Sequence, residues 1–447
     1  MNKDGNEDSY IGGATNNLGA LYFNKGNGIL SSMNQNAFKG DPKFEDTAAE
    51  FFDVDGDNDL DLMVGSGGNE VGDEKNYKVR LYINDGTGIF TLSTQSIPSN
   101  QTNISVICPY DFDNDGDIDV FVGSRSVVGI YGVNPSHLLL ENNGEGIFTD
   151  ATERLAFDLK DAGMVTDATW TDVNNDEKID LVTVSDWDTP KVFMNDGKRL
   201  RKISSQLDNY SGLWNTIEAV DIDKDGDTDF VLGNYGTNTL YKASKENPRK
   251  LWINDFDDNG TIEQISTKQF KGKDYPIHMK KELTGQLVKL KKENLKASEY
   301  AGRSIDELFS ESVIENSIVK TCNISETVLA INNGDGNYTI QALPSQVQFS
   351  CVCDVICEDL NNDGHLDLIM AGNNFDFKPQ YARLDASFGS VLLNNGNTNI
   401  IWQDYYKIGF VIKNEVKHLK QVKDRTGKKY FVAAINNEKP KLFVINE

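Results

Sequence analysis

Asp53-Val-Asp55-Gly-Asp57-Asn-Asp59-Leu-Asp61 runs straight into Leu62-Met-Val-Gly65. Five carboxylates within nine residues repel one another unless a counter-ion lies among them. Positions one, three and five place their oxygens inside a curled loop, the seventh offers its backbone carbonyl and the ninth closes the cage, which suits the six to eight oxygens calcium takes. The same frame recurs at Asp111-Phe-Asp113-Asn-Asp115-Gly-Asp117-Ile-Asp119 and Asp221-Ile-Asp223-Lys-Asp225-Gly-Asp227-Thr-Asp229. Looser copies are Asp172-Val-Asn174-Asn-Asp176-Glu-Lys178-Ile-Asp180, Asp255-Phe-Asp257-Asp-Asn259-Gly-Thr261-Ile-Glu263 and Asp359-Leu-Asn361-Asn-Asp363-Gly-His365-Leu-Asp367. Another begins one ligand short, at Asn2-Lys-Asp4-Gly-Asn6-Glu-Asp8.

Gly116, Gly226, Gly260 and Gly364 hold position six, where a sharp turn favours positive φ; Asn58 is a fair substitute there and Glu177 a poor one. An EF-hand needs Glu at position twelve and a helix on each side. Val64, Val122, Thr183, Leu232 and Met370 stand there instead, and Leu60-Asp-Leu-Met-Val-Gly65, Ile118-Asp-Val-Phe-Val-Gly123 and Leu366-Asp-Leu-Ile-Met-Ala-Gly372 read as short buried strands. Any single Asp/Gly-rich stretch could be an ordinary solvated turn. Recurrence in one frame argues for metal, and the crowding of oxygens favours calcium over magnesium, which keeps its waters.

The net charge of −25 is largely the charge of these loops, and it argues against nonspecific nucleic-acid binding, which needs a basic surface. Cys108, Cys322, Cys351, Cys353 and Cys357 form no visible disulfide framework; the last three share one parity along a strand, poor geometry for pairing with each other. The four histidines, His137, His278, His365 and His418, are scattered and complete no zinc set. No stretch reads as a signal peptide and no apolar run is long enough to span a bilayer. The incomplete motif at Asn2 reads as the start of a fragment of a longer chain.

Loop starts at Asp53, Asp111, Asp172 and Asp221 recur at a period of roughly 50 to 60 residues, the scale of large propeller blades. Between them Leu81 to Phe90, Leu138 to Phe148 and Val328 to Tyr338 each read strand, tight Asn/Gly turn, strand, and such turns specify hairpins. Small antiparallel units that cannot cover both faces alone are buried by radial stacking. The expected fold is therefore an all-β propeller over 1–447, with about seven blades, the last from Tyr406 to Asn446. Asp255 follows Asp221 too soon for a full unit and reads as an extra site within one blade. Between His278 and Lys320 the glycine turns vanish, lysines cluster and Ser304-Ile-Asp-Glu307 makes a capping box, which predicts a helical insertion over 278–320.

The loop followed by a strand and Gly-Ser or Gly-Asn, as in Asp53 to Ser66 and Asp221 to Asn234, resembles the FG-GAP and VCBS repeats of integrin alpha-chain propellers. Ile11-Gly-Gly-Ala14 with Gly19-Ala-Leu-Tyr22, the lysine-rich insertion and Arg383-Leu-Asp385-Ala-Ser387-Phe-Gly389 resemble the C-terminal propeller of exported Bacteroidetes proteins related to cartilage acidic protein, although no ASPIC/UnbV module is recognisable. The resemblance implies a calcium-stabilised extracellular or cell-surface module.

Two functional classes follow. One is a noncatalytic module for protein or carbohydrate recognition. Residues at equivalent places just after the loop-strand unit, among them Asn16, Asn17, Asn69, Arg125, Asp186, Trp187, Tyr235, Asn374 and Phe375, would gather on one rim, with Arg125, Trp187, Tyr235 and Phe375 as ligand contacts. The other is a polysaccharide lyase or hydrolase, for which Tyr131, His137, Tyr275, His278 and Arg303 are acid-base candidates without diagnostic spacing. A deep groove with His or Tyr beside an Arg would favour the enzyme, a flat rim the module. A purely architectural unit of a longer secreted protein is the remaining alternative.

Overall fold

Each nine-residue loop ends one strand and starts the next, and the two strands differ in what they face. Asp46–Phe52, leading into the first full loop, is half-exposed along most of its length, whereas Asp61–Ser66, leading out, is buried throughout. The pattern repeats for Asn103–Tyr110 with Asp119–Ser126 and for Met164–Thr171 with Asp180–Asp188. A strand with one face toward solvent and a follower covered on both faces is what radial stacking around an axis requires.

The computed structural model describes residues 1–447 apart from 27, 41–42, 69–75, 95–96, 99–100, 335, 377–382, 397 and 446–447, so Asn69 and Asn446 lie outside the described residues. Among the described residues there are eight antiparallel sheets. In chain order the second is Asp46–Phe52, Asp61–Ser66, Val79–Asn84 and Phe90–Leu92; the third runs from Asn103–Tyr110 to Thr149–Asp150; the fourth from Met164–Thr171 to Leu200–Ile203. The fifth joins Thr216–Val220, Asp229–Gly233, Val328–Asn332 and Tyr338–Ala342, and the sixth runs from Val352–Glu358 to Ile400–Trp402. Three-stranded sheets stand at the two ends, Ser9–Ile11 to Leu30–Met33 and Val416–Lys423 to Lys441–Val444.

The lead-in strands of neighbouring sheets touch in sequence from Asp46–Phe52 round to Val416–Lys423. The first sheet closes the circle. Glu7 N donates to Lys423 O at 2.8 Å on one side of it, and Asp46 N donates to Gly13 O at 2.9 Å on the other. Between adjacent sheets lie separate apolar cores, such as Phe52, Val54, Met63, Leu81, Ile104, Val120, Leu140 and Phe148 between the second and third. The molecule is an all-β propeller.

The eighth sheet is an excursion. After Asp229–Gly233 the chain leaves the fifth sheet and builds Lys273–Pro276, Glu263–Phe270, Arg249–Asn254 and Ile318–Cys322 in that spatial order before returning at Val328–Asn332. Five short helices between Lys280 and Glu315 pack on it through Trp252, Phe256, Ile265, Leu283, Leu287 and Leu290. Glu307 accepts from Ser304 N at 2.9 Å, the bond expected of the capping box. The Asp255 loop joins two strands of this inserted sheet.

Cys351 and Cys353 are free thiols, as expected from the sequence, yet lie closer together than a regular strand would place them. A β-bulge between Val352 and Asp354 breaks the strand's alternation and leaves the two sulfurs 3.7 Å apart, in contact as free thiols.

Candidate metal loops and the rim pocket

All seven loops adopt one backbone. Positions four and six are both left-handed, from Gly56 and Asn58 (φ 75° and 63°) through Lys224 and Gly226 (65° and 95°) to Lys3 and Gly5 (54° and 84°). Even Glu177 is held at φ 66°. The first carboxylate explains position six, because Asp53, Asp111, Asp172, Asp221, Asp255 and Asp359 each accept the backbone N–H of that residue. The left-handed fourth residue was not anticipated from the sequence. Its signal was the run of Gly, Asn and Asp there, broken by Lys224 and Lys3.

The ninth position does more than close a cage. Asp61 Oδ2 accepts from Val54 N at 3.1 Å and Oδ1 from Asn84 N at 2.8 Å, so one buried carboxylate ties the loop's second residue to the end of the next strand. Asp119, Asp180, Asp229 and Asp367 repeat both bonds. Burial pushes Asp61, Asp180 and Asp229 up to about 6 and Asp119 up to about 7. The asparagine they hold reaches the preceding sheet. Asn142 Nδ2 donates to Val54 O at 2.9 Å, Asn195 to Phe112 O at 2.7 Å, Asn332 to Val173 O at 3.3 Å and Asn394 to Ile222 O at 2.9 Å. Seventh-position side chains sit beside the Asn/Gly turn of their own sheet: a Cβ added at Gly144 would meet Asp117 Oδ1 at 2.6 Å, and one at Gly334 would meet Asp227 Oδ2 at 2.9 Å.

Positions one, three and five converge. Asp53, Asp55 and Asp57 bring carboxylate oxygens within 4.8 Å of one another, as do Asp111, Asp113 and Asp115, and Asp221, Asp223 and Asp225; in the inserted sheet the group is Asp255, Asp257 and Glu263. In each of these four groups one buried oxygen has no hydrogen-bond partner, on Asp55, Asp113, Asp221 and Asp257. A buried, unpaired carboxylate oxygen facing two others is costly without a cation, so the residues fit a hard divalent ion. Burial first, then the neighbouring carboxylates, pushes Asp55, Asp113 and Asp223 upward. The other loops differ. At Asp172 and Asp359 the third residue is Asn174 or Asn361, and the Lys178 ammonium lies 3.6 Å from Asp176. In the first loop Asn2, Asp4 and Asn6 offer one carboxylate, and Asp8 pairs with the Met1 ammonium at 3.5 Å.

Two of the four expected ligand contacts, Trp187 and Tyr235, line one cavity. Arg125 and Trp187 stand near the ends of the second strands Asp119–Ser126 and Asp180–Asp188, and Tyr235 follows Asp229–Gly233 in the next sheet, where the inserted sheet and the helix Lys280–Gln286 fold back over the propeller face. There a cavity of about 310 Å³ is lined by Tyr131, Trp187, Leu213 and Tyr235 on the propeller side and by Tyr241, Leu251, Gln264, Ser266, His278, Glu282, Leu283 and Gln286 from the excursion. Fully buried Asp186 anchors it: Oδ2 accepts Arg125 Nε at 2.8 Å and Tyr131 Oη at 3.1 Å, and Oδ1 is unpaired. Trp187 holds φ at 57°, a conformation bulky residues avoid. Phe375 is elsewhere, stacked on the Arg383 guanidinium at 3.6 Å. Of the acid-base candidates Tyr131 and His278 line the cavity. His137 is buried between Ser124 N and Gly163 O, and burial lowers its pKa to about 4. Tyr241, Gln264 and Gln286 were missed, since nothing in their spacing marks them.

The FG-GAP-like repeat model matches residues 66–122 and 172–232. The fold is a β-propeller, and two stretches of it match the FG-GAP-like repeat. No curated protein matches the chain. Among solved structures it is similar to the Dos1 propeller (10% identity, 98% of this chain and 88% of that one, TM-score 0.40). It is also similar to the V. cholerae biofilm matrix protein Bap1 (9%, 97% and 85%, 0.39) and to a putative exo-beta-1,3-galactanase from Bifidobacterium bifidum (12%, 63% and 90%, 0.31).

Proposed function

We propose that this propeller is a noncatalytic, extracellular or cell-surface recognition module for a protein or carbohydrate ligand, with calcium fixing the loops at the edges of its sheets. The observation that carries the recognition reading is the meeting of Trp187 and Tyr235 at one cavity on the propeller face, where the lining residue Tyr131 shares Asp186 with Arg125. Aromatic side chains gathered in a pocket are usual anchors of recognition sites. Calcium is supported by the four carboxylate groups with their unpaired buried oxygens. The metal's role here is structural.

Tyr131 in the lining, sharing Asp186 with Arg125, is the pairing of Tyr and Arg that a carbohydrate-active enzyme would use, but its geometry does not suit one. Tyr131 donates to Asp186, and burial raises its pKa well above the ordinary value, so it is a poor base at neutral pH. Glycoside hydrolysis uses two carboxyl groups. Among the described lining residues Glu282 is the one carboxylate, and it accepts Met279 N at 3.0 Å.

Glycan and protein arrays probed with the full chain, with calcium and with chelator, test the proposal. Calcium-dependent retention of one ligand class is expected. No retention by any glycan or protein while the chain is folded and calcium-loaded would leave an architectural unit. Release of reducing ends or unsaturated products from a polysaccharide panel would establish the enzyme instead.

A further inference from the structure

We propose that the cavity beneath the helix Lys280–Gln286 binds a neutral sugar residue, seated on aromatic rings of the propeller and hydrogen-bonded by the insertion; this rests on the recognition reading above. Its volume, about 310 Å³, is at the small end of ligand clefts and suits one or two rings rather than a polypeptide segment.

The two walls differ in chemistry. Tyr131, Trp187 and Tyr235 on the propeller side, joined by Tyr241 from the start of the excursion, present ring surfaces, and Trp187 stands nearly perpendicular to Tyr241, with centroids 6.3 Å apart and an interplanar angle of 81°. A pyranose has an apolar C–H face that packs on such rings. This wall is set in advance, because Arg125 and Tyr131 both hold Asp186 and the Trp187 backbone is fixed in a sparsely populated conformation. Little ordering remains to be lost on binding, and strain of this kind gathers at ligand sites.

Opposite the rings, beside Leu251 and Leu283, stand two amides, a hydroxyl, an imidazole and a carboxylate, from Gln264, Gln286, Ser266, His278 and Glu282, several of them already oriented by protein hydrogen bonds such as Ser266 N to His278 and Met279 N to Glu282. Such groups supply both donors and acceptors, as hydroxyls that both give and take hydrogen bonds require. Charge narrows the class further. Among the described lining residues there is no Lys or Arg, and the chain carries −25. A sulfated or uronate glycan would enter without a counter-charge and desolvate its anion unpaired. A cationic amine would meet aromatic faces and Glu282, but would make no use of the Gln286 amide.

The test uses the calcium-loaded full chain and three probe sets: neutral mono- and oligosaccharides, sulfated and uronate oligosaccharides, and choline with trimethyl-lysine, read by array retention and Trp fluorescence titration. Binding is expected in the neutral set alone. Tyr241→Ala is expected to weaken it at least tenfold, and Gln286→Ala, at an exposed helical position with no fold to disturb, several-fold. Binding confined to the acidic or the cationic set overturns the assignment. A ligand whose affinity is unchanged in both variants overturns the cavity while leaving recognition standing, and absence of any glycan or protein ligand removes both.

Discussion

At the residue scale the carboxylate groups can be separated from ordinary turns by what each oxygen touches. Asp53 and Asp111 are occupied by backbone amides of their own loops, but Asp55 and Asp113 keep a buried oxygen with no partner. A loop at a hundred times its dissociation constant would gain about 2.7 kcal/mol from the ion. Asp113→Ala is therefore expected to reduce the calcium-dependent rise in Tm, yet to melt at or above the wild type in chelator, where it removes an uncompensated charge. Scanning calorimetry with and without calcium reads both signs, and equal losses in the two conditions would count against the metal. Glu177 gives a prediction independent of metal. Held at φ 66°, it sits where a Cβ is costly, so Glu177→Gly should stabilise the chain by about 1 kcal/mol in urea unfolding. Much at this scale was readable: oxygens one, three and five by spacing, and position six by glycine. The double use of the ninth aspartate was not, because its second partner is a backbone amide at the far end of the next strand.

At the element scale the joint between sheets depends on one asparagine per unit. Asn84, Asn142 and Asn332 were visible in the sequence as hairpin-turn residues. Their side chains do something the turn does not need, pairing a carbonyl of the preceding sheet's loop. Asn142→Ala leaves the Val54 carbonyl buried without its donor and is expected to cost about 1 to 3 kcal/mol in denaturant unfolding. Glu145→Ala, exposed in the same turn, should change stability by no more than about 0.5 kcal/mol. The inserted sheet was the least readable element. Its Asp255 loop looks like any other copy, while the strand completing the sheet, Ile318–Cys322, is separated from it by the helices, and no local pattern announces that pairing. Of the residues the sequence places at equivalent positions around the second strands, Trp187 and Tyr235 reach the cavity. Phe375 obeys the same equivalence yet has no inserted wall to face, so it stacks on Arg383 instead.

At the scale of the whole molecule, charge collects along the inner strands. Glu50, Asp167, Glu218 and Asp354, from four different sheets, face Lys420 of the last, which lies 3.6 Å from Glu50 and has His418 beside it. Burial first, then the neighbouring carboxylates, pushes Glu218 up to about 7; burial likewise takes Asp167 up to about 6. For an acid whose pKa is higher folded than unfolded, the native state binds the proton more tightly, so stability is greatest below the unfolded value and falls as pH rises through the folded one. Lys420 moderates that fall. Lys420→Met is expected to lower Tm clearly at pH 8 and much less at pH 5, where Glu218 and Asp167 take protons; an equal loss at both would show that the ammonium acts through packing alone.

The circle is completed by a small clasp: Asn24, in the first sheet, donates to Lys423 O in the last at 3.4 Å, alongside the Glu7 bond to the same carbonyl. During synthesis on the ribosome the opening sheets emerge with one flank uncovered, and that flank gains its neighbour when Val416–Lys423 arrives. Such late, long-range pairing slows maturation. The exposed flank in the interval is where a chaperone would hold a nascent chain, and where two unfinished copies would exchange their final sheets.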